Sequence, residues 1–118
     1  MKKIFAALLI MAMLTGLSAC GAQNVRGSLL NLSNNEMAAL DIMPQKLFEI
    51  AQIGDEMIVT VGNFSVEMPL VDELIEENGK LQLFYDVQRH GLYICAYGEN
   101  FCESYNVAAD AKVSVRRK

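Results

Sequence analysis

The 118 residues carry ten Lys and Arg, fourteen Asp and Glu and one His, a formal net charge of −4 at pH 7, and 53% of them are hydrophobic. That length suits one domain and is short of two. The acidic balance argues against nucleic acid and anionic headgroups as direct partners, because both require a basic footprint.

Met1-Lys2-Lys3 is followed by an uncharged apolar run over residues 4–14 and then by Thr15-Gly16-Leu17-Ser18-Ala19-Cys20. A charged start, a short apolar stretch and small residues at a cleavage point are the layout of a secretory signal peptide. The run is too short to span the roughly 30 Å of hydrocarbon that takes about 20 residues to cross, so cleavage is expected. Leu17-Ser18-Ala19-Cys20 resembles the lipobox of bacterial lipoproteins, which implies that residues 1–19 are removed and Cys20 becomes the lipidated first residue. An ordinary signal peptide with a cysteine beside its cut is the alternative. The small and polar residues Gly21, Ala22, Gln23 and Asn24 read as a flexible tether, so residues 20–35 are taken as lipidated cysteine plus tether and 36–118 as the folded domain. Without residues 1–19, which include Lys2 and Lys3, 99 residues remain with eight basic and fourteen acidic side chains, a formal charge of −6. The expected location is the outer face of the cell membrane, or the periplasm and outer membrane.

Pro44 suits a first helical turn, and Leu47, Phe48, Ile50 and Ala51 form an apolar stripe before Gly54, where the helix is expected to stop. From Met57 the pattern changes to period two. Met57, Val59 and Val61 alternate with Ile58 and Thr60, Gly62-Asn63 supplies turn chemistry, and Phe64, Val66 and Met68 alternate with Ser65 and Glu67, which together predict a hairpin. Pro69 is expected to end the second strand or place it at an edge. The acidic group Asp72, Glu73, Glu76 and Glu77 before Asn78-Gly79 matches no calcium loop, which converges six or more oxygens, and reads as a solvated segment. A second hairpin follows, with Leu81, Leu83, Tyr85 and Val87 facing one way and Gln82, Phe84 and Asp86 the other. Its turn lies at Arg89-His90-Gly91, and its return strand covers 92–97. Asn100 with Glu103 three residues later resembles a capping box, and Asn106 can end the short helix in the left-handed conformation. Val113 and Val115 share one face of a last strand over 112–116, while Lys112, Arg116, Arg117 and Lys118 read as a solubilising tail. The fold class expected is mainly β: a small β-barrel with one or two short helices, behind a cleaved signal peptide, closure being one way to remove exposed strand edges.

The segments Leu40-Asp41-Ile42-Met43-Pro44-Gln45-Lys46-Leu47-Phe48, Ile53-Gly54-Asp55-Glu56-Met57-Ile58-Val59, Met68-Pro69-Leu70 and Asn100-Phe101-Cys102-Glu103-Ser104-Tyr105 together resemble the C-terminal domain of the SAM hydroxide adenosyltransferase family, relatives of the fluorinases and chlorinases. The resemblance covers about residues 36–116 and is similar to the free-standing form of that domain in some bacterial lipoproteins. It implies a β-barrel that in the full enzymes follows a larger α/β domain and contacts the nucleoside held by a neighbouring subunit; the large domain has no counterpart here. The family's Phe-Gly-Asn segment falls near Asn35-Glu36-Met37, its Thr-Asn-Ile reads Leu40-Asp41-Ile42, and its Asn-x-Gly-Asn turn falls on Tyr97-Gly98-Glu99-Asn100. The resemblance thus leaves Asp41, Tyr97, Asn100 and Phe101 as the ligand-contact candidates.

His90 stands in a predicted turn with no companion set for acid–base work. Cys95 and Cys102 either pair, as thiols can outside the cytoplasm, or serve as small apolar side chains; no Cys-x-x-Cys is present. Neither a metal site nor a cofactor is expected. The sequence reads as a lipid-anchored, non-catalytic module. Its partners are the membrane through Cys20 and an envelope protein or small molecule, with no nucleic acid. A structural homo-oligomer, with Ile58 and Phe84 as outward apolar residues, and an enzyme acting on an adenosyl compound are the alternatives.

Overall fold

A computed structural model describes residues 24–30, 37–108 and 110–118. The signal peptide, Cys20, the first part of the tether and Asn35-Glu36 lie outside the described residues. Among those described, seven strands and two one-turn helices run in the order β1 (Val25–Ser28), β2 (Met37–Leu40), α1 (Pro44–Leu47), β3 (Glu56–Val61), β4 (Phe64–Val71), β5 (Leu81–Asp86), β6 (Gly91–Ala96), α2 (Phe101–Ser104) and β7 (Lys112–Arg117). The strands form one sheet ordered β1-β7-β3-β4-β5-β6-β2. A bridge between Leu29 and Leu40 joins its two outer strands, with Leu30 N–H donating to Ala39 O at 2.9 Å and Asp41 N–H to Ser28 O at 2.8 Å. The result is a small, nearly closed β-barrel.

The period-two pattern sets what lies inside. Met57, Val59 and Val61 of β3, Met68 and Leu70 of β4, Leu83 of β5, Leu92 and Ile94 of β6 and Val113 and Val115 of β7 meet in one apolar cluster, as expected when every second side chain of a strand faces the interior. The β3–β4 hairpin turns at Gly62-Asn63 as predicted. Gly62 takes a φ of 60°, a conformation that costs glycine little.

Four sequence expectations are corrected. β1 lies inside the segment assigned to the tether: Val25–Ser28 pairs with Val115–Lys112 along β7, so the barrel takes up residues from Val25 onward. Pro69 does not end its strand. It faces Glu56 of β3, while the next residue, Leu70, donates to Asp55 O and accepts from Gly54 N–H and pairs in parallel with Leu83 of β5. The proline stands where β4 passes from one partner to the other, so its missing donor interrupts no continuous ladder. The stripe from Leu47 yields a helix of only four residues; Leu47 is buried and Ile50 and Ala51 pack partly against the core, while Phe48 is exposed, and Gly54 belongs to the backbone opposite Leu70 rather than to a helix end. The last strand predicted over 112–116 is β7, which runs on to Arg117 and so takes up most of the basic tail, its end held by Lys118 N–H on Glu56 O at 2.9 Å and by a 3.1 Å ion pair between Lys118 and Glu67. In the second hairpin, Val87 is 58% exposed and belongs to the turn, not to β5.

The crossover from β4 to β5 over residues 72–80 runs along the barrel and is fixed by Gln82, a fully buried polar side chain. Its Oε1 accepts from Ile75 N–H at 2.7 Å and its Nε2 donates to Ile75 O at 3.0 Å. One amide thus satisfies both backbone groups of a half-buried loop residue.

Closure itself depends on a residue without a side chain. A Cβ on Gly27 would meet the carbonyl oxygen of Asp41 and approach Cγ1 of Ile42 to 2.7 Å, so β1 can lie this close to the end of β2 only as glycine. Gly27→Ala is expected to cost about 1–3 kcal/mol, as overpacking does, and to speed amide exchange at Leu30 and Asp41, whose bonds close the barrel. Urea unfolding with amide exchange checks this; an unchanged midpoint and unchanged protection would refute it.

Candidate functional site

The four ligand-contact candidates do not come together. Asp41 directly follows Leu40, which pairs with Leu92 near the start of β6, whereas Tyr97 directly follows Ala96 at the other end of that strand. At about 3.3 Å per residue, the six residues from Gly91 to Tyr97 separate the two by roughly 20 Å along the barrel. A nucleoside cannot touch both.

Tyr97, Asn100 and Phe101 do form one local structure, built for shape. Tyr97 N–H donates to Lys80 O at 3.1 Å and Tyr97 O accepts from Gly79 N–H at 2.8 Å, which ties the end of β6 to the start of β5. Asn100 has extended backbone and its Oδ1 accepts from Glu103 N–H at 3.1 Å, the N-cap predicted from the Asn-x-x-Glu spacing. The cap starts α2, which closes that end of the barrel like a lid. Phe101 is the plug: it is fully buried in the apolar cluster and stacks on Tyr105 with ring centroids 5.1 Å apart. Tyr105 stacks in turn on Phe64 of β4 at 6.1 Å. A ring enclosed in this way offers no face to a ligand, so the stacking role assigned to Phe101 is corrected to a core role. Asn106 ends the turn at a φ of 55°, as expected.

A cleft of about 400 Å³ opens beside this lid, lined by Gly62, Phe64, Asn106, Val107 and Ala111 among others. None of the four candidates lines it, and no pattern in the sequence singled it out, since its walls come from a hairpin turn and a connection more than 40 residues apart.

The remaining reactive groups are placed for structure. His90 is exposed in the β5–β6 turn, its Nδ1 3.1 Å from the Tyr85 hydroxyl, and Tyr85 packs edge-on against Phe48 with centroids 5.1 Å apart. Cys95 and Cys102 stand as thiols. Leu92, Ile94 and Ala96 of β6 belong to the interior cluster, so Cys95 points to the opposite face of the strand. Cys102 packs against that cluster from α2. Burial pushes the Cys102 thiol up from its ordinary value, which lowers the thiolate fraction that nucleophilic or redox chemistry requires. Among the described residues, no group of three or more His, Cys, Asp and Glu side chains converges in a way that could hold a metal ion.

No protein-family model matches this chain, and no curated protein does. A solved structure of an uncharacterized conserved protein from Thermotoga maritima is similar, with a TM-score of 0.69 at 14% sequence identity, covering 80% of this chain and 36% of that one. At that identity the likeness is one of fold. The present chain spans little more than a third of the length of the protein it matches.

Proposed function

We propose that this chain is a lipid-anchored, non-catalytic module of the bacterial cell envelope, held to the membrane through Cys20 and presenting its barrel to an envelope protein or small molecule. The observation that carries the non-catalytic reading is the separation of the resemblance-derived contact residues: Asp41 is at one end of the barrel, Tyr97 at the other, and Phe101 inside it. A site for group transfer must surround the reacting centre, orient a nucleophile and exclude water, which together supply most of a rate enhancement, and these residues cannot act on one substrate. The anchoring reading rests on Lys2-Lys3, the uncharged run and Leu17-Ser18-Ala19-Cys20. Among the described residues no helix is long and apolar enough to cross a membrane.

Incubating the protein at micromolar concentration with SAM is expected to release no adenosine or methionine above a heat-killed control. Product that appears and is then removed by Asp41→Ala would overturn the reading.

A further inference from the structure

The register of the sheet gathers one kind of side chain at one end of the barrel. β1 runs antiparallel to β2, with Asp41 N–H on Ser28 O, so Asn24 and Val25 lie beside α1. They meet it directly: Asn24, Val25 and Arg26 share a cleft of about 470 Å³ with Lys46, Glu49 and Ile50. Val25 pairs with Val115 and Met57 with Arg117, which brings the end of β7 and the start of β3 to the same level. Leu40 and Tyr85 both pair with Leu92, which brings the β5–β6 turn there too.

Four of the large apolar side chains that are exposed sit at this α1 end: Met43 at 60%, Val87 at 58%, Ile53 at 41% and Phe48 at 36%. So do six of the eight Lys and Arg residues beyond position 19, namely Arg26, Lys46, Arg89, Arg116, Arg117 and Lys118, which are interspersed there with Asp41, Glu49, Asp55, Glu56, Glu67 and Asp86. The other end, around α2, has only Lys80 and Lys112 against Glu76, Glu77, Glu99, Glu103 and Asp110. The α1 end is therefore close to charge balance, whereas the α2 end is net acidic, and the feature that marks the α1 end is its exposed apolar side chains.

The α1 end is also where the chain arrives from Cys20. Five residue steps separate Cys20 from Val25, a reach of at most roughly 18 Å when fully extended. We infer that the α1 end rests on the lipid surface, with Met43, Phe48, Ile53 and Val87 at the level of the headgroups, while the acidic α2 end and its cleft face away from the membrane. This rests on the lipid-anchor reading. A tether so short keeps the barrel against the bilayer, and exposed apolar side chains at the tethered end can bury their surface at the headgroup boundary, whereas the net acidic α2 end is repelled by anionic headgroups. The α2 end is then the end available to a partner.

The chain contains no tryptophan, so one introduced indole reports depth without interference. Full-length Val87→Trp and Glu103→Trp chains, processed in a bacterial host and reconstituted in vesicles of phosphatidylethanolamine and phosphatidylglycerol, are compared for quenching by lipids brominated near the headgroup. Both positions are exposed, and circular dichroism verifies that both variants retain the barrel. Quenching several-fold stronger at position 87 than at 103 is expected. With acylation of Cys20 verified by mass spectrometry on the same samples, equal quenching or stronger quenching at 103 overturns the orientation alone. Absence of acylation overturns both the orientation and the anchor on which it rests.

Discussion

Cys20→Ser is expected to abolish incorporation of a fatty-acid probe and to release the protein from the membrane fraction. The thiol is the acyl-bearing group in the reading of Leu17-Ser18-Ala19-Cys20, and a serine hydroxyl cannot form the thioether. The size of the effect follows from transfer energetics. Each buried methylene contributes about 0.8 kcal/mol, so a single chain holds a protein only reversibly, whereas two or three chains on one residue hold it for long times. The apolar residues at the α1 end do not replace such an anchor: Met43, Phe48, Ile53 and Val87 are each partly covered by the barrel, and their combined contact helps orient a tethered molecule without retaining a free one. Metabolic labelling followed by fractionation decides the matter. A mutant that is still labelled at wild-type intensity would refute the assignment of Cys20, and an unlabelled mutant that remains in the membrane fraction would show that another contact anchors the chain.

The parts of the fold legible in the sequence are those whose signal is local. Alternation from Met57 to Met68 names the inward face of β3 and β4 because a strand's own pleat sets that period, and Asn100 with Glu103 names the start of α2 because an N-cap acts within four residues. The strands that close the barrel carry no such signal. Val-Arg-Gly-Ser of β1 and Met-Ala-Ala-Leu of β2 are weak strand formers taken alone, and they are extended because β7 and β6 offer them open edges. The burial of Gln82 was equally hidden. Its place on the outward face of β5 was correctly read, but the loop that covers it arrives from seven residues earlier and is recognised only through the bonds to Ile75.

The site was less legible than the fold for the same reason. The resemblance offers Asp41 and Tyr97 as contacts of one ligand, yet register places them beside opposite ends of one strand. That distance is set by the pairing of Leu40 with Leu92, which no spacing within either segment encodes. The gathering of exposed apolar side chains at the α1 end is hidden likewise, since Met43, Phe48, Ile53 and Val87 come from separate connections and meet only when the sheet forms.

Phe101 separates the two accounts of the α2 end most sharply, because the resemblance gives it to a ligand and the structure gives it to the core. The ring is fully buried, it occupies the end of the barrel beneath α2, and it supports the stack of Tyr105 on Phe64. Phe101→Ala is therefore expected to destabilise the domain by about 3–5 kcal/mol, the range for deleting a buried aromatic side chain and leaving a cavity. For a domain of this length that is a large share of a total stability of about 5–15 kcal/mol, and the midpoint of thermal unfolding should fall by tens of degrees. Phe101→Leu retains most of the apolar volume and should lose much less, which keeps the test informative if the alanine variant does not fold. Tyr97→Ala supplies the contrast, since Tyr97 is half-buried and joins the neighbouring turn through backbone groups that the substitution preserves; its cost should be well below that of Phe101→Ala. Thermal and urea unfolding of the three variants give the ranking. If Phe101→Ala unfolds with the wild-type midpoint and instead weakens binding of a nucleoside, the ring is a ligand platform and its placement in the core is wrong.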